Sequence, residues 1–147
     1  MNVRRRSLGR TGLEVSELSL GTWGLTGQAT GVVSAEDADR ALARAPELGI
    51  NLIETADLYM GPDDVPMESR IGRVLGGVAE IAVVTRGGND LAVTPPRKRF
   101  DRVFLHRSAA RSAERLRRAP DVYLLHDPSV DTLHRGEAVG ALTELVA

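Results

Sequence analysis

The chain has 147 residues, 42% hydrophobic and 27% charged, a balance that suits one globular domain able to bury a core. The absence of cysteine excludes disulfides, thiolate metal sites and thiol nucleophiles. A net charge of −1 and an aromatic content of 3% give no case for a nucleic-acid surface, and no apolar run approaches the ~20 residues of a membrane span.

The N-terminal MNVRRRSLGR is basic but no apolar stretch follows it, so it does not read as a signal peptide, and a cytoplasmic setting is expected. Residues 3–15 predict two short strands around Gly9-Arg10-Thr11-Gly12. ELSLG (17–21) reads as a buried strand, followed by a Gly/Thr-rich loop. Ser34 is a good N-cap for a helix over 35–48, with Ala38, Ala41, Leu42, Ala45 and Leu48 on one face. Pro46 should distort its last turn, and Gly49 should end it.

INLIE (50–54) predicts the second strand of the repeating pattern, and a short helix over about 66–76 turns Met67, Ile71, Val74 and Leu75 inward. IAVVT (81–85) is apolar without alternation, the pattern of a strand covered on both faces. Residues 87–99 predict a loop. A helix over about 101–118 follows, with Val103, Leu105, Ala109, Ser112, Ala113 and Leu116 inside and arginines outside. DVYLL (121–125) is the last strand, and a helix over about 131–146 closes the chain.

A hairpin followed by alternating strands and helices implies a parallel sheet of the α/β class, either an open doubly wound sheet or about four of the eight units of a TIM-type (β/α) barrel. Neither G-x-G-x-x-G after the first parallel strand nor G-x-x-x-x-G-K-[ST] occurs. Ligands of such folds bind at the carboxyl ends of the strands. There the sequence places Gly21-Thr22-Trp23, then Glu54 with Tyr59 five residues on, then Arg86, then His126. A carboxylate, a phenol, a guanidinium and an imidazole at one end can do acid–base chemistry on an oxygen. Singly, each has a plainer reading: Glu54 and Arg86 as an ion pair at the sheet mouth, Tyr59 as a loop aromatic, His126 as a strand terminator. With no cysteine and one histidine at that end, no metal site is expected. His106 and His134 read as solvated helix residues. Lys98 is the only lysine among 19 basic residues, so any lysine chemistry must use it.

The stretches RRRSLGRTGLEVSELSLGTWGL, LGINLIETADLYMG, VVTRGG, FLHRSAARSAERLRR and DVYLLHDPS, in that order, resemble aldo-keto reductases, in particular the bacterial branch related to potassium-channel β subunits. The resemblance covers nearly all of residues 1–147 and implies a single (β/α)-barrel domain whose first hairpin, 3–15, plugs the N-terminal mouth. It implies an oxidoreductase in which NADP(H) gives hydride to a small-molecule carbonyl while a tyrosine protonates the oxygen, assisted by Asp, Lys and His. Tyr59 and His126 match the tyrosine and the histidine. Gly21, Thr22 and Trp23 match the stretch bordering nicotinamide and substrate. The aspartate position, which also borders the cofactor, holds Glu54, and the lysine position holds Arg86.

The family's second half-barrel, which grips the cofactor, has no counterpart in the 147 residues, whose β/α units run over 17–146. A half-barrel or truncated chain with weak NADP(H) binding is therefore expected, as is a homodimer that closes the barrel. The competing expectation is a non-redox half-barrel, either a binding module or a cofactor-independent acid–base enzyme.

Overall fold

A computed structural model describes residues 3–29 and 31–146. Strands β1 (Arg5–Ser7) and β2 (Glu14–Ser16) form the predicted antiparallel hairpin, with Arg6 opposite Val15. Its turn uses Gly9 and Gly12 at φ 57° and 78°, a backbone conformation that glycine adopts without steric cost. Asn51 clamps the hairpin at the amino-terminal end of the parallel strands. Its Oδ1 accepts from the Ser16 amide at 2.6 Å and its Nδ2 donates to the Glu14 carbonyl at 2.9 Å.

Strand β3 (Ser19–Gly21) leads through a 3₁₀ turn, Trp23–Thr26, to helix α1 (Ala35–Glu47). The Ser34 hydroxyl caps α1 by accepting from the Asp37 amide at 3.0 Å. Pro46 lies in the last turn, which is tightened as expected, with the Gly49 amide donating to the Pro46 carbonyl at 2.9 Å. The Leu48 amide there bonds both the Arg44 and Ala45 carbonyls, and Gly49 turns the chain away at φ 84°. Then come β4 (Leu52–Glu54), α2 (Met67–Leu75) and β5 (Ala82–Gly87). The segment expected as a plain loop over 87–99 holds a small hairpin, β6 (Asn89–Asp90) and β7 (Arg97–Lys98). Helix α3 (Arg102–Leu116) and β8 (Val122–Leu125) follow. The single last helix expected over 131–146 is two, α4 (Val130–His134) and α5 (Glu137–Val146), because Gly136 between them takes φ 75°.

The sheet runs β3-β4-β5-β8, every neighbour parallel. Helices α1, α2 and α3 cover one face. Leu42, Ile53, Met67, Ile71, Val83 and Leu116 form the core there, each nearly inaccessible. Burial of such a side chain contributes roughly 1.5–3 kcal/mol, so this layer holds the helices on the sheet.

Three expectations change here. The β5 run alternates after all: Val83 and Thr85 are buried toward the helices, whereas Val84 and Arg86 lie half-buried on the other face. Val103 is 66% exposed, and Phe104 and Ser108 take the inner positions of α3 instead, since a stripe read one residue out of phase misplaces its edge. Nor are all the α3 arginines outside. Arg115 is turned inward, donating to the Asp57 carbonyl at 3.0 Å and to Glu68 at 3.2 Å. Among the described residues no helix is long and apolar enough to cross a membrane.

Candidate active site

Parallel register decides which side chains meet. Gly21 lies beside Glu54 and Glu54 beside Val84, two residues before Arg86. Arg86 lies beside Leu124, two residues before His126. With a side-chain period of 2, Glu54 and Arg86 therefore emerge on the face away from the helices. Thr85 between them points the other way and donates to Glu68 Oε1 at 2.7 Å.

Tyr59 reaches the same place through the loop after β4. The Thr55 and Asp57 amides donate to the Val84 and Arg86 carbonyls at 2.9 and 2.8 Å, extending the β4–β5 pairing past the strand. A turn closed by the Tyr59 amide on the Ala56 carbonyl, 3.1 Å, then folds the chain back. Arg86 Nη2 donates to the Tyr59 hydroxyl oxygen at 2.8 Å, and the same nitrogen pairs with Glu54 Oε1. His126 follows β8, its amide donating to the Gly87 carbonyl at 2.8 Å. Its ring stands edge-on to Tyr59, with centroids 6.3 Å apart and planes at 90°. All four residues singled out by position thus lie together, in one layer at the carboxyl end of the sheet.

Burial and neighbouring charges shift three of the four. Burial pushes the Tyr59 phenol up, and the carboxylate of Glu54 adds to that, while Arg86 pulls the other way without cancelling it. The phenol is a proton carrier at neutral pH. Burial likewise raises the Glu54 carboxyl above its ordinary value, outweighing the pull of Arg86. His126 is pushed down to about 4, by burial first and then by Lys98 and Arg86, so its imidazole is neutral. Its Nδ1 is buried without a hydrogen-bond partner among the described residues.

At the end of β3, a Cβ added to Gly21 would meet only Glu54 Oε2, at 3.6 Å. Trp23 is 52% exposed, an indole surface open to a flat ring. Thr22 is fully buried and its hydroxyl is spent on Thr55 Oγ1 at 2.9 Å. An open floor, an exposed indole, a phenol and an imidazole suit the nicotinamide end of a dinucleotide. For its phosphates the same strand ends offer little. Arg86 is committed to Glu54 and Tyr59, and Lys98 donates to the His126 carbonyl at 2.6 Å.

Sequence reasoning passed over the groups that hold this layer in place. Asp57 is fully buried between the strand ends, where its carboxylate accepts from the Asn89 side chain at 2.6 Å and the Asn89 amide at 3.3 Å. Burial raises its carboxyl above the usual range. The signal was present, a carboxylate two residues before Tyr59 in an apolar run, but a lone Asp in a loop reads as a turn residue. A groove of about 530 Å³ lined by Ala109, Ala113, Tyr123 and Leu142 lies between α3, β8 and α5, and none of the four strand-end residues borders it.

Residues 17–147 match the family model of the aldo/keto reductases. Solved structures agree. The chain superposes on a holo-form aldo-keto reductase from Bacillus halodurans with a TM-score of 0.82 at 28% identity, over 98% of this chain and 46% of that one. With a glycerol dehydrogenase from Gluconobacter oxydans the TM-score is 0.73 at 25% identity, over 98% and 44%. The four parallel β/α units are thus those of a TIM-type barrel, and the chain spans about half the length of the solved relatives it matches. With sheet order, hairpin and family match in agreement, the chain belongs to the aldo-keto reductase family.

Proposed function

We propose that this chain supplies the proton-donating half of an aldo-keto reductase site, which reduces an aldehyde or ketone with NADP(H) and uses Tyr59 as the proton donor. The observation that carries the reading is the direction of one hydrogen bond. Tyr59 accepts from Arg86, so its own O–H is free to point out of the sheet toward a carbonyl oxygen. A bound nicotinamide would supply the hydride. As the alkoxide develops, the phenolic proton moves to it. Arg86 Nη2 stabilises the phenolate left behind, and Glu54 fixes the guanidinium in that line. His126, uncharged, orients the carbonyl oxygen by hydrogen bonding rather than by protonating it. Gly21, Trp23 and Glu54 would border the nicotinamide.

Cofactor affinity and catalysis belong to a closed barrel. Strands β3 and β8 are the sheet's two edges, and the face carrying Glu54 and Arg86 also bears Val84, Val122 and Leu124 without a covering layer among the described residues. A second copy pairing β8 with β3 around a two-fold axis would give eight parallel strands. Sedimentation should show a dimer or larger species at micromolar concentration. Trp23 fluorescence should show weak NADPH binding by the 147-residue chain. A cooperatively unfolding monomer would remove the dimer, and saturable quenching at low-micromolar NADPH would remove the weak binding.

One observation favours a second reading, a non-redox acid–base site. Arg86 stands where the family has lysine, and the Tyr59 phenol is held above its ordinary value, which makes it a poorer acid. Following NADPH absorbance with a panel of aldehydes and ketones separates the two. Oxidation of NADPH that disappears in Tyr59→Phe supports the reductase. Carbonyl turnover without NADPH oxidation supports the other.

A further inference from the structure

The small hairpin β6–β7 bridges the loops that carry the Tyr59 and His126 rings. At its root Asn89 is buried and holds Asp57 through both its amide and its side chain, and Asp57 lies in the loop that brings Tyr59 to Arg86. Lys98 sits directly opposite Asn89 in the hairpin register, and the Arg99 amide donates to the Gly88 carbonyl at 2.9 Å. The lysine backbone is therefore fixed relative to the end of β5. From there its Nζ reaches across to the His126 carbonyl at 2.6 Å. The peptide units flanking His126 are thus held at both ends, with the N–H on Gly87 and the C=O on Lys98.

We propose that Lys98 is a positioning residue of the carbonyl site: its grip on the His126 carbonyl fixes the imidazole edge-on to the Tyr59 ring and keeps a positive charge behind it. The assignment rests on the reading of His126 as part of that site. The groups facing His126 are Arg86 from β5, Tyr59 with Glu54 beyond it from the β4 loop, Lys98 from β7, and its own neighbour Asp127. Lys98 and Arg86 both disfavour an imidazolium and only Asp127 favours one, in addition to the burial that disfavours it. A neutral imidazole donates a hydrogen bond to a carbonyl oxygen and leaves proton transfer to the phenol. An ammonium suits the role, being compact, with three donors directed at a single acceptor.

The chain's composition makes the test clean, since it holds a single lysine and 3 histidines. In ¹³C-histidine-labelled protein, His126 should titrate near 4, and Lys98→Met should raise that midpoint by about half a pH unit or more. Lys98→Arg, which keeps the charge and the donors, should restore most of the wild-type value. A His126 midpoint unmoved in Lys98→Met, or moved as far in Lys98→Arg, overturns the proposal. An independent reading comes from the ¹⁵N resonance of the single lysine ammonium in the wild-type chain, which should exchange its protons more slowly than free lysine. Exchange as fast as free lysine also overturns it. Neither readout needs turnover, so this inference and the reductase reading can fail separately. In the reductase, Lys98→Met should raise KM for the carbonyl more than it lowers kcat.

Discussion

The Arg86 guanidinium holds the Tyr59 hydroxyl and the Glu54 carboxylate with one nitrogen, Nη2, donating to the phenolic oxygen at 2.8 Å. A single side chain therefore sets the direction of the phenolic O–H and, in the reductase proposed above, would stabilise the phenolate left when the proton leaves. General acid contributions are typically about 10²–10⁴-fold. Tyr59→Phe keeps the ring against His126 and removes only the oxygen. In the closed barrel it should lower kcat at least about a hundredfold with little change in stability, as steady-state kinetics beside a urea melt will show.

In the proposed reductase, Glu54 and Arg86 would stand in place of an aspartate and a lysine, keeping the sign of both charges. Glutamate adds a methylene and arginine presents a planar fork where lysine has a point charge, and the two side chains meet as an ion pair. Glu54→Asp and Arg86→Lys made singly should each lower kcat/KM, because the shorter side chain no longer spans the gap its partner leaves. The double change should cost less than the sum of the singles, because once one side chain has withdrawn the other has no contact left to lose. A double-mutant cycle in kcat/KM measures that coupling, and additive effects would mean the two side chains act independently.

Packing of α2 on α3 depends on Gly72. A Cβ there would lie 2.4 Å from the Arg115 carbonyl oxygen and 2.8 Å from the Leu116 backbone, atoms that cannot swing away. Gly72→Ala should destabilise the chain by about 3 kcal/mol, the upper end of overpacking costs, despite the gain in helix propensity. Equilibrium urea unfolding checks it. Gly140, in α5, has open space around it, and Gly140→Ala is the control that should not destabilise.

The chain's own pattern carried the β/α order, the hairpin and the four strand-end side chains, because each depends on local periodicity and on the rule that parallel strands present ligands at their carboxyl ends. What stayed hidden depends on partners distant in sequence. Arg70 lies in a helix that reads as amphipathic, yet its side chain is fully buried and bonded to the Ala35 carbonyl at 3.0 Å and to Asp39 at 2.6 Å. Nothing near position 70 announces an acceptor 31 residues back. The same holds for Lys98 and His126, and for Arg115, whose inward turn is decided by Asp57 and Glu68. Helix α3 misled at Ser108 for a different reason, whereas Ser112 lies inside as expected. Ser108 is a buried polar residue that an apolar template leaves out.

The neutral His126 makes a statement about stability. Its ordinary value is 6.5 and its folded value about 4, so between those two values the unfolded chain binds a proton that the folded chain refuses. Stability must then fall as the pH drops through that window, since acid favours the state that takes up more protons. The carboxylates that arginines hold low in the fold, Asp39 and Asp63 beside Arg70 and Asp101 beside Arg99, act in a different range. Their contribution is complete above the unfolded carboxyl value of about 3.9 and is lost only below it. The two effects therefore separate on the pH axis. His126→Gln fills the same place with a side chain that does not titrate. Urea midpoints measured from pH 7 down to about 4.5 should fall less steeply for His126→Gln than for the wild type, while the two curves converge in slope below about 4, where the carboxylates take over. Parallel curves across the upper window would mean that His126 is solvated enough to bind its proton in the folded state, and the neutral role given to it at the carbonyl would go with it.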